Sequence, residues 1–85
     1  MVFPDIHPLK PIHLLIVPKK HIGDFSDLQD DGLLEKIKKV TQEMVEKQNL
    51  KNKGYRIVVN GGGAQIIDHL HLHLLGPLGK AVVMK

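Results

Sequence analysis

The sequence predicts an α+β fold in which one long helix packs on a small, mainly antiparallel sheet. Short apolar or β-branched runs at residues 13–17 and 55–59 predict strands, and the stretch between them has the spacing of an amphipathic helix. An alternating run at residues 68–75 predicts a further strand. The 85 residues have the length of one small domain, so a single domain over residues 1–85 is expected.

The start of the chain and the first predicted strand differ in composition. Three prolines within residues 1–11 predict an irregular, turn-like segment. Residues 13–17 form a nearly continuous apolar run that ends at Pro18, which is typical of a buried strand. Residues 19–27 are mostly polar and predict a connection between this strand and the helix.

The predicted helix covers approximately residues 30–50. Asp30 and Asp31 lie near its start, where negative charge interacts favourably with the helix dipole. Asn52 and Gly54 end the region. The apolar positions that recur at helical spacing are Leu33, Leu34, Ile37, Val40, Met44 and Val45.

Two predicted strands follow the helix, and a glycine-rich loop joins them. Asn60 and three glycines break the β-branched run of residues 55–59. The alternating run of residues 68–75 ends at Gly76 and Pro77. We expect these two strands to pair as an antiparallel hairpin.

The last predicted strand carries three of the six histidines of the chain at alternate positions. Because the side chains of a strand alternate between its faces, His69, His71 and His73 should share one face. The leucines between them should face a core shared with the helix. Adjacent imidazoles repel one another when protonated, which disfavours a purely solvent-facing role for this strand face.

Two functional interpretations of these histidines stay open on residue type alone. The first is a metal site, since two histidines at i and i+2 can bind one zinc ion, with further ligands from His7, His13, His21, Asp5 or Asp68. The second is catalysis, because histidine titrates near neutral pH and acts as a nucleophile or proton donor. The glycine-rich loop favours catalysis, since its backbone N–H groups can hold a phosphate oxygen beside a neutral imidazole.

Composition excludes several other classes of protein. The chain has no cysteine, which excludes disulfides and thiolate metal sites and fits a reducing compartment. No apolar run approaches the roughly 20 residues of a membrane span, and the start lacks a secretory signal, so a cytoplasmic protein without a membrane partner is expected. The net charge of +3, the mixing of lysines with acids, and the three aromatic residues disfavour a nucleic-acid partner.

Two long segments of the chain resemble the histidine triad (HIT) family, and in particular its histidine triad nucleotide-binding (Hint-like) branch. The triad signature is matched by His69-Leu70-His71-Leu72-His73-Leu74-Leu75. The flanking segments that carry the resemblance are "FPDIHPLKPIHLLIVPKKHI" and "NKGYRIVVNGGGAQIIDHLHLHLLG". Together they cover nearly the whole chain, and the resemblance implies a HIT-like fold.

The resemblance also implies a hydrolase that cleaves nucleoside monophosphate amidates or esters, of the AMP or GMP type, without a cofactor. It implies that His71 attacks the α-phosphate and forms a covalent nucleotidyl-histidine intermediate. The backbone carbonyl of His69 would accept the ring N–H of His71, and His73 would contact the phosphate and assist proton transfer. The implied nucleotide-binding positions, with Asp5 on the ribose and Ile6 against the nucleoside, are Asp5, Ile6, His13, Asn60, Ala64, Gln65 and Ile66.

The sequence departs from the family pattern in three places. The loop that begins at Asn60 is shorter than the usual Hint-like loop, so Asn60 is expected not to reach its usual partner. Ile66 stands where Hint-like members usually carry a hydroxyl, so amidate cleavage should slow by about 10²–10³, the effect of losing one catalytic hydrogen bond. The chain begins close to Asp5, so the usual N-terminal helix and strand, which supply much of the base pocket, are expected to be missing, as in a natural short protein or part of a longer enzyme.

The resemblance further implies a homodimer, with the helix and the strand of residues 55–59 at the interface. Pairing suits a short chain with an apolar edge strand, because it buries surface that a small domain leaves exposed. Two other functions are compatible with the same residues. One is a non-catalytic or weakly active nucleotide-binding module, and the other is a metal-binding protein that uses the histidine triad.

Overall fold

The computed structural model describes residues 2–5, 9–64 and 69–79. Its strands and helices, in chain order, are β1 (Val2–Pro4), β2 (Ile12–Ile16), a one-turn 3-10 helix (Phe25–Asp27), α1 (Leu33–Lys47), β3 (Arg56–Val59) and β4 (Leu72–Gly76). The strands form one antiparallel sheet in the order β1-β2-β4-β3. The predicted α+β class is therefore confirmed. Across the described residues, no helix combines the length and apolar character that crossing a bilayer needs.

Strand β1 lies in the segment that the prolines predicted to be irregular, so that prediction is wrong for Val2–Pro4. β1 pairs with β2, with Val2 opposite Ile16. Pro4 is compatible with this strand because β1 is at the edge of the sheet, where a missing N–H need not break the ladder. The Asp5 N–H donates to the carbonyl oxygen of His13 at 2.8 Å and continues the pairing beyond the strand.

The predicted hairpin of the last two strands is confirmed, because β3 and β4 pair antiparallel. The prediction that the last strand covers residues 68–75 is wrong at its start, since β4 begins at Leu72. The physical reason lies just before the strand. There the Leu70 N–H donates to the carbonyl oxygen of Ile22, so this part of the chain bonds to the connection after β2 instead of a neighbouring strand.

Helix α1 is shorter than predicted at both ends, and its start is set by Asp31 and Gly32. Gly32 has a φ of +85°, a left-handed conformation that ends the preceding turn, and the Asp31 carboxylate accepts the N–H of Leu33 at 3.1 Å. The helix buries Ile37, Thr41 and Val45. Leu34 was predicted to belong to the apolar face, but 50 % of its surface is exposed. The apolar stripe is therefore wider than the face that the sheet covers.

The core occupies the space between α1 and one face of the sheet. Its buried residues form two clusters, one of Ile16, Val45, Leu50 and Leu74, and the other of Ile22, Ile37 and Leu70. Leu70 and Leu74 alternate with the triad histidines and are almost completely buried, which confirms that the leucines face a core shared with the helix. The opposite face of β2 and β4 carries His13 and His73, and this face holds the candidate site.

Candidate active site

His71 is the most buried histidine of the triad. It lies just before β4, and only 8 % of its surface is exposed. Its Nδ1 is 2.8 Å from the carbonyl oxygen of His69. A carbonyl oxygen can only accept a hydrogen bond, so Nδ1 carries the proton and donates it. In the neutral ring the other nitrogen, Nε2, therefore keeps a free lone pair, which is the form that a nucleophilic imidazole needs.

His73 lies next to His71 and contacts a third histidine from β2. The ring centroids of His71 and His73 are 4.9 Å apart, with the planes inclined at 63°. The Nδ1 atom of His73 is 2.9 Å from Nε2 of His13. The register of the sheet produces this contact, because Leu15 is opposite His73 and His13 therefore lies diagonally across from it.

The hydrogen bonds around His13 determine where the protons lie. The Leu9 N–H donates to Nδ1 of His13 at 3.1 Å, so Nδ1 is unprotonated and Nε2 carries the proton. Nε2 then donates to Nδ1 of His73, and it also lies 3.3 Å from the Asp5 carboxylate. Because Nδ1 of His73 is an acceptor, a neutral His73 carries its own proton on Nε2. His73 can therefore donate a hydrogen bond into the site.

The environment favours the neutral form of His73. Burial lowers its pKa below the ordinary value for histidine, and the neighbouring His71 and His13 rings lower it further, whereas the Asp5 carboxylate opposes the shift. The neutral ring keeps Nδ1 available as the acceptor for His13. With both rings neutral, the site combines a lone pair on His71 with an N–H donor on His73.

The side chain of His69 points to a different neighbourhood. Its Nε2 donates to the carbonyl oxygen of Pro18 at 3.1 Å, and its Nδ1 is 2.9 Å from Nδ1 of His21. The two rings meet edge to face, with centroids 4.9 Å apart. His69 precedes β4, so strand alternation does not govern it and the prediction of one face for all three rings is wrong for this ring. What His69 brings to the site is its backbone carbonyl oxygen.

The glycine-rich loop after β3 is held by Asp24, a residue that the sequence analysis did not single out. One carboxylate oxygen of Asp24 accepts the Gly62 N–H at 2.7 Å, and the other accepts the Ser26 N–H at 3.0 Å. A Cβ atom at Gly61 would lie 2.7 Å from the Asp24 carboxylate, so a larger residue there would have to displace this side chain. The hydrogen bonds from Ser26 and Gly62 lower the pKa of Asp24. The Asp24-x-Ser26 pattern is a local cap signal, but its partner in the loop is 38 residues away.

The remaining predicted site residues fall into two groups. Asn60 is half-buried directly after β3, and Ala64 is exposed, with its N–H donating to the Gly61 carbonyl oxygen at 3.1 Å. Ile6, Gln65 and Ile66 lie outside the described residues, so their predicted roles stay predictions.

One group of possible metal ligands also occurs in the described ranges 2–5, 9–64 and 69–79. It consists of Asp5, His13 and His73, whose ligand atoms all lie within 4.8 Å of one another. Of the triad itself, this group includes His73 alone. The donor set, one carboxylate and two imidazoles, suits zinc.

Comparison with known proteins assigns the chain to a family. The model of the HIT domain matches residues 1–79. The chain belongs to the HIT family. A HIT-like protein of unknown function from Chlamydia trachomatis is 48 % identical over 80 residues, which cover 89 % of this chain and 71 % of that protein. A second such protein, from Chlamydia muridarum, is 46 % identical, and the HIT chain described here spans only 63 % of its length.

Solved HIT structures have the same fold as this HIT chain. A HIT family hydrolase from Legionella pneumophila superimposes with a TM-score of 0.82 at 46 % identity, over 88 % of this chain and 70 % of that one. A HIT family hydrolase from Clostridium thermocellum gives a TM-score of 0.87 at 33 % identity, over 99 % and 76 % of the two chains. A histidine triad protein from Clostridium difficile gives 0.84 at 32 % identity, over 99 % and 75 %.

Proposed function

We propose that this chain is a nucleotide-binding hydrolase that cleaves nucleoside monophosphate amidates or esters through a covalent intermediate on His71. The observation that carries the proposal is the hydrogen bond of 2.8 Å from Nδ1 of His71 to the His69 carbonyl oxygen, which leaves Nε2 as a nucleophile. The description of the Legionella pneumophila and Clostridium thermocellum relatives as hydrolases supports this reaction class.

In the first step, the Nε2 lone pair of His71 forms a bond to the α-phosphorus. The bond from phosphorus to the leaving nitrogen or oxygen breaks, and the leaving atom keeps the electron pair and takes a proton from water. The His71 ring is then cationic, and its Nδ1–H remains bonded to the His69 carbonyl oxygen, which stabilises the charge. The Nε2–H of His73 donates a hydrogen bond to a phosphate oxygen and assists the transfer of charge.

In the second step, water attacks the same phosphorus and the bond from phosphorus to Nε2 breaks. The electron pair returns to Nε2, the water oxygen stays on phosphorus, and its proton passes to solvent. The products are a nucleoside monophosphate and the original His71 ring. Both displacements occur at phosphorus, the first by His71 and the second by water. In this proposal neither needs a metal ion or a cofactor.

The nucleotide would lie across the sheet face that carries His13 and His73. Asp5, close to His13, is proposed to accept the ribose hydroxyls, and its carboxylate is suited to that contact. We assign the nucleoside to Ile6 and the phosphate side to Asn60, Ala64, Gln65 and Ile66. The ligand class we propose is a purine nucleotide of the AMP or GMP type.

The test is release of nucleoside monophosphate from adenosine and guanosine 5′-phosphoramidates. Wild type and the matched control Lys39→Gln, on the exposed face of α1, should release product, and His71→Ala should not. Acid quenching during turnover should reveal a mass gain of one nucleotidyl group on the peptide that carries His71. Tight binding of nucleotide without product release would instead favour a non-catalytic nucleotide-binding module.

A homodimer is part of the proposal, and the exposed edge of β3 supports it. β3 is the last strand of the sheet, and Tyr55, Ile57 and Val59 on and beside it are 42 %, 44 % and 39 % exposed. An apolar edge strand of this kind is a template for pairing with a second chain. Sedimentation across a concentration series should give a dimer that Ile57→Lys dissociates. A monomer at all concentrations would contradict this part of the proposal.

Metal binding is a second candidate function, favoured by the cluster of Asp5, His13 and His73. If it is correct, zinc should raise the unfolding temperature of chelator-treated wild type and of the exposed control Asp27→Asn. Asp5→Asn should abolish the rise. An identical response of the two variants to zinc would exclude this cluster as the binding site.

A further inference from the structure

A small cationic cavity lies beside the candidate site on the sheet face opposite α1. Its volume is about 230 Å³, and His13 and His73 form one wall. Lys10 and Arg56 contribute two positive charges, and none of the described residues that line the cavity carries a carboxylate. The reaction proposed above uses neither cation, so the cavity needs a separate explanation.

Arg56 indicates what the cavity is built to hold. It is half-buried on β3, and its Nε is buried without a hydrogen-bond partner. The ion pairs formed among the described residues involve neither Arg56 nor Lys10. A buried donor without an acceptor is uncommon because it loses its hydration without replacement, and for a guanidinium the natural missing partner is an anion.

The sheet register gives the position of Arg56 relative to Asp5. The Asp5 N–H bonds to the His13 carbonyl oxygen, His13 is opposite Leu75, and Leu75 is opposite Arg56. These residues therefore lie on four adjacent segments of the sheet, which are about 4.8 Å apart. The backbones of Asp5 and Arg56 are thus separated by about 14 Å. His13 and His73 lie between them. A nucleotide with its ribose at Asp5 and its phosphate at the histidines leaves the Arg56 end of this row of segments for the leaving group.

We propose that this cavity is the leaving-group subsite of the hydrolase and that it selects a short amine carrying an acid group, either a carboxylate or a phosphonate. This inference rests on the proposed function. Arg56 can bind either acid through two parallel N–H donors, and Lys10 adds a second positive charge. Val58, Leu75 and Leu78 offer an apolar wall to the short carbon chain. The volume is below the roughly 300–1,000 Å³ of most ligand pockets, which fits an amino-acid-sized group better than a second nucleotide.

The test compares three adenosine 5′-phosphoramidates that differ only in the leaving amine: glycine, aminomethylphosphonate and the neutral glycinamide. Wild type should cleave at least one acid-bearing substrate with a kcat/KM about tenfold above that for glycinamide, as expected for one charge-assisted contact. A preference for the glycine or the aminomethylphosphonate substrate then distinguishes carboxylate from phosphonate as the favoured group.

Three variants test whether Arg56 and Lys10 cause the preference for acid-bearing substrates. Arg56→Gln should bring the ratio of acid-bearing to neutral substrate close to one, and Arg56→Lys should retain part of it, because it keeps the charge and loses the fork geometry. Lys10→Gln, at an exposed position that leaves the fold intact, should lower the ratio by a smaller factor. The matched control Lys39→Gln removes a positive charge from the exposed face of α1 and should leave the ratio at the wild-type value.

A binding measurement separates the subsite from the reaction. Dissociation constants of the three amidates are measured by calorimetry on His71→Asn, which lacks the proposed nucleophile, with and without Arg56→Gln. Tighter binding of an acid-bearing amidate that Arg56→Gln removes supports the subsite even if wild type cleaves none of the substrates, an outcome that overturns only the proposed hydrolysis. Equal dissociation constants for the three amidates, or no measurable binding, overturn the subsite.

Discussion

The molecule contains two histidine pairs with the same contact distance and different surroundings. His13 and His73 meet at 2.9 Å in a part-buried position on the sheet face opposite α1, and His21 and His69 meet at 2.9 Å near the surface. In the first pair, the Leu9 N–H and the Asp5 carboxylate fix the proton positions, and burial lowers the pKa of His73. The exposed pair is bonded to a backbone carbonyl of the connection after β2. The two pairs therefore share their residue type and contact distance, and they differ in their surroundings.

The largest expected difference is between two triad histidines. His71 lies beside His73 of the first pair, and His69 belongs to the second pair. His71→Ala should lower kcat for an AMP amidate by about 10⁴-fold or more, the effect of removing a catalytic nucleophile. His69→Ala should lower kcat by no more than about tenfold, because the contact that orients His71 comes from the His69 carbonyl oxygen and survives the substitution. Steady-state rates for the two purified variants decide the matter. Equal losses would mean that the His69 ring itself takes part in the reaction.

The second prediction concerns stability. His13→Ala should lower the free energy of unfolding by about 1–3 kcal/mol, because it removes a buried side chain and leaves the part-buried Leu9 N–H and Nδ1 of His73 without their partner. His21→Ala, at an exposed position, should change it by less than about 0.5 kcal/mol. Urea titration of both variants measures the difference. Comparable losses would show that the exposed pair is as important to the fold as the buried one.

The third prediction uses the lowered pKa of His73. Because the folded state holds this ring neutral, the unfolded chain binds more protons at mildly acidic pH, and stability should rise with pH in this range. The contribution is fully present above the ordinary histidine pKa of about 6.5 and is lost as pH falls through the lowered value. Urea titrations at neutral and mildly acidic pH should give a smaller dependence for His73→Asn than for wild type. Lys39→Gln should retain the wild-type dependence.

The carboxylates with lowered pKa values do not complicate that experiment. Hydrogen bonds from Ser26 and Gly62 lower the pKa of Asp24, and the hydrogen bond from Lys20 lowers that of Asp31. Their contributions are complete above the ordinary aspartate pKa of about 3.9 and are lost below it. At mildly acidic pH, above the ordinary aspartate pKa, these aspartate contributions are therefore constant.

The smallest expected effect is at the glycine-rich loop after β3. Asp24→Ala removes the acceptor for the Gly62 N–H, so the loop should become less well positioned for phosphate. We expect KM for an AMP amidate to rise by about two- to fivefold, as for loss of one exposed hydrogen bond, with little change in kcat. Asp27→Asn, a nearby exposed acid, is the control. A fall in kcat without a change in KM would contradict a purely positioning role.

Local patterns in the sequence predicted much of the fold. The alternation of Leu70 and Leu74 with the histidines identified the buried face, because period-two burial is a property of neighbouring residues alone. Leu34 was assigned to the wrong environment because helical spacing gives the direction of a face and not the width that the sheet covers. β1 was missed because its only support is pairing with β2, which proline-based turn signals do not reveal.

The site was less accessible to sequence reasoning than the fold. His71 and His73 were found from their spacing, and the resemblance to the HIT family gave their expected roles. The loop anchor Asp24 and the cavity residues Lys10 and Arg56 were missed, because their contacts join segments far apart in the chain. The position of the His69 ring depends on the hydrogen bond from the Leu70 N–H to the connection after β2. No local sequence pattern predicts this hydrogen bond.

The acceptor that orients His71 is a main-chain oxygen, and this has a consequence for how the protein can change over evolutionary time. A side-chain acceptor would be lost through a single codon change, whereas a carbonyl oxygen is present whatever amino acid the codon specifies. Only a shift of the chain around residue 69 can remove it. The path of the backbone thus protects the tautomer of His71, the proposed nucleophile, against mutation, and the side chain at position 69 is free to change.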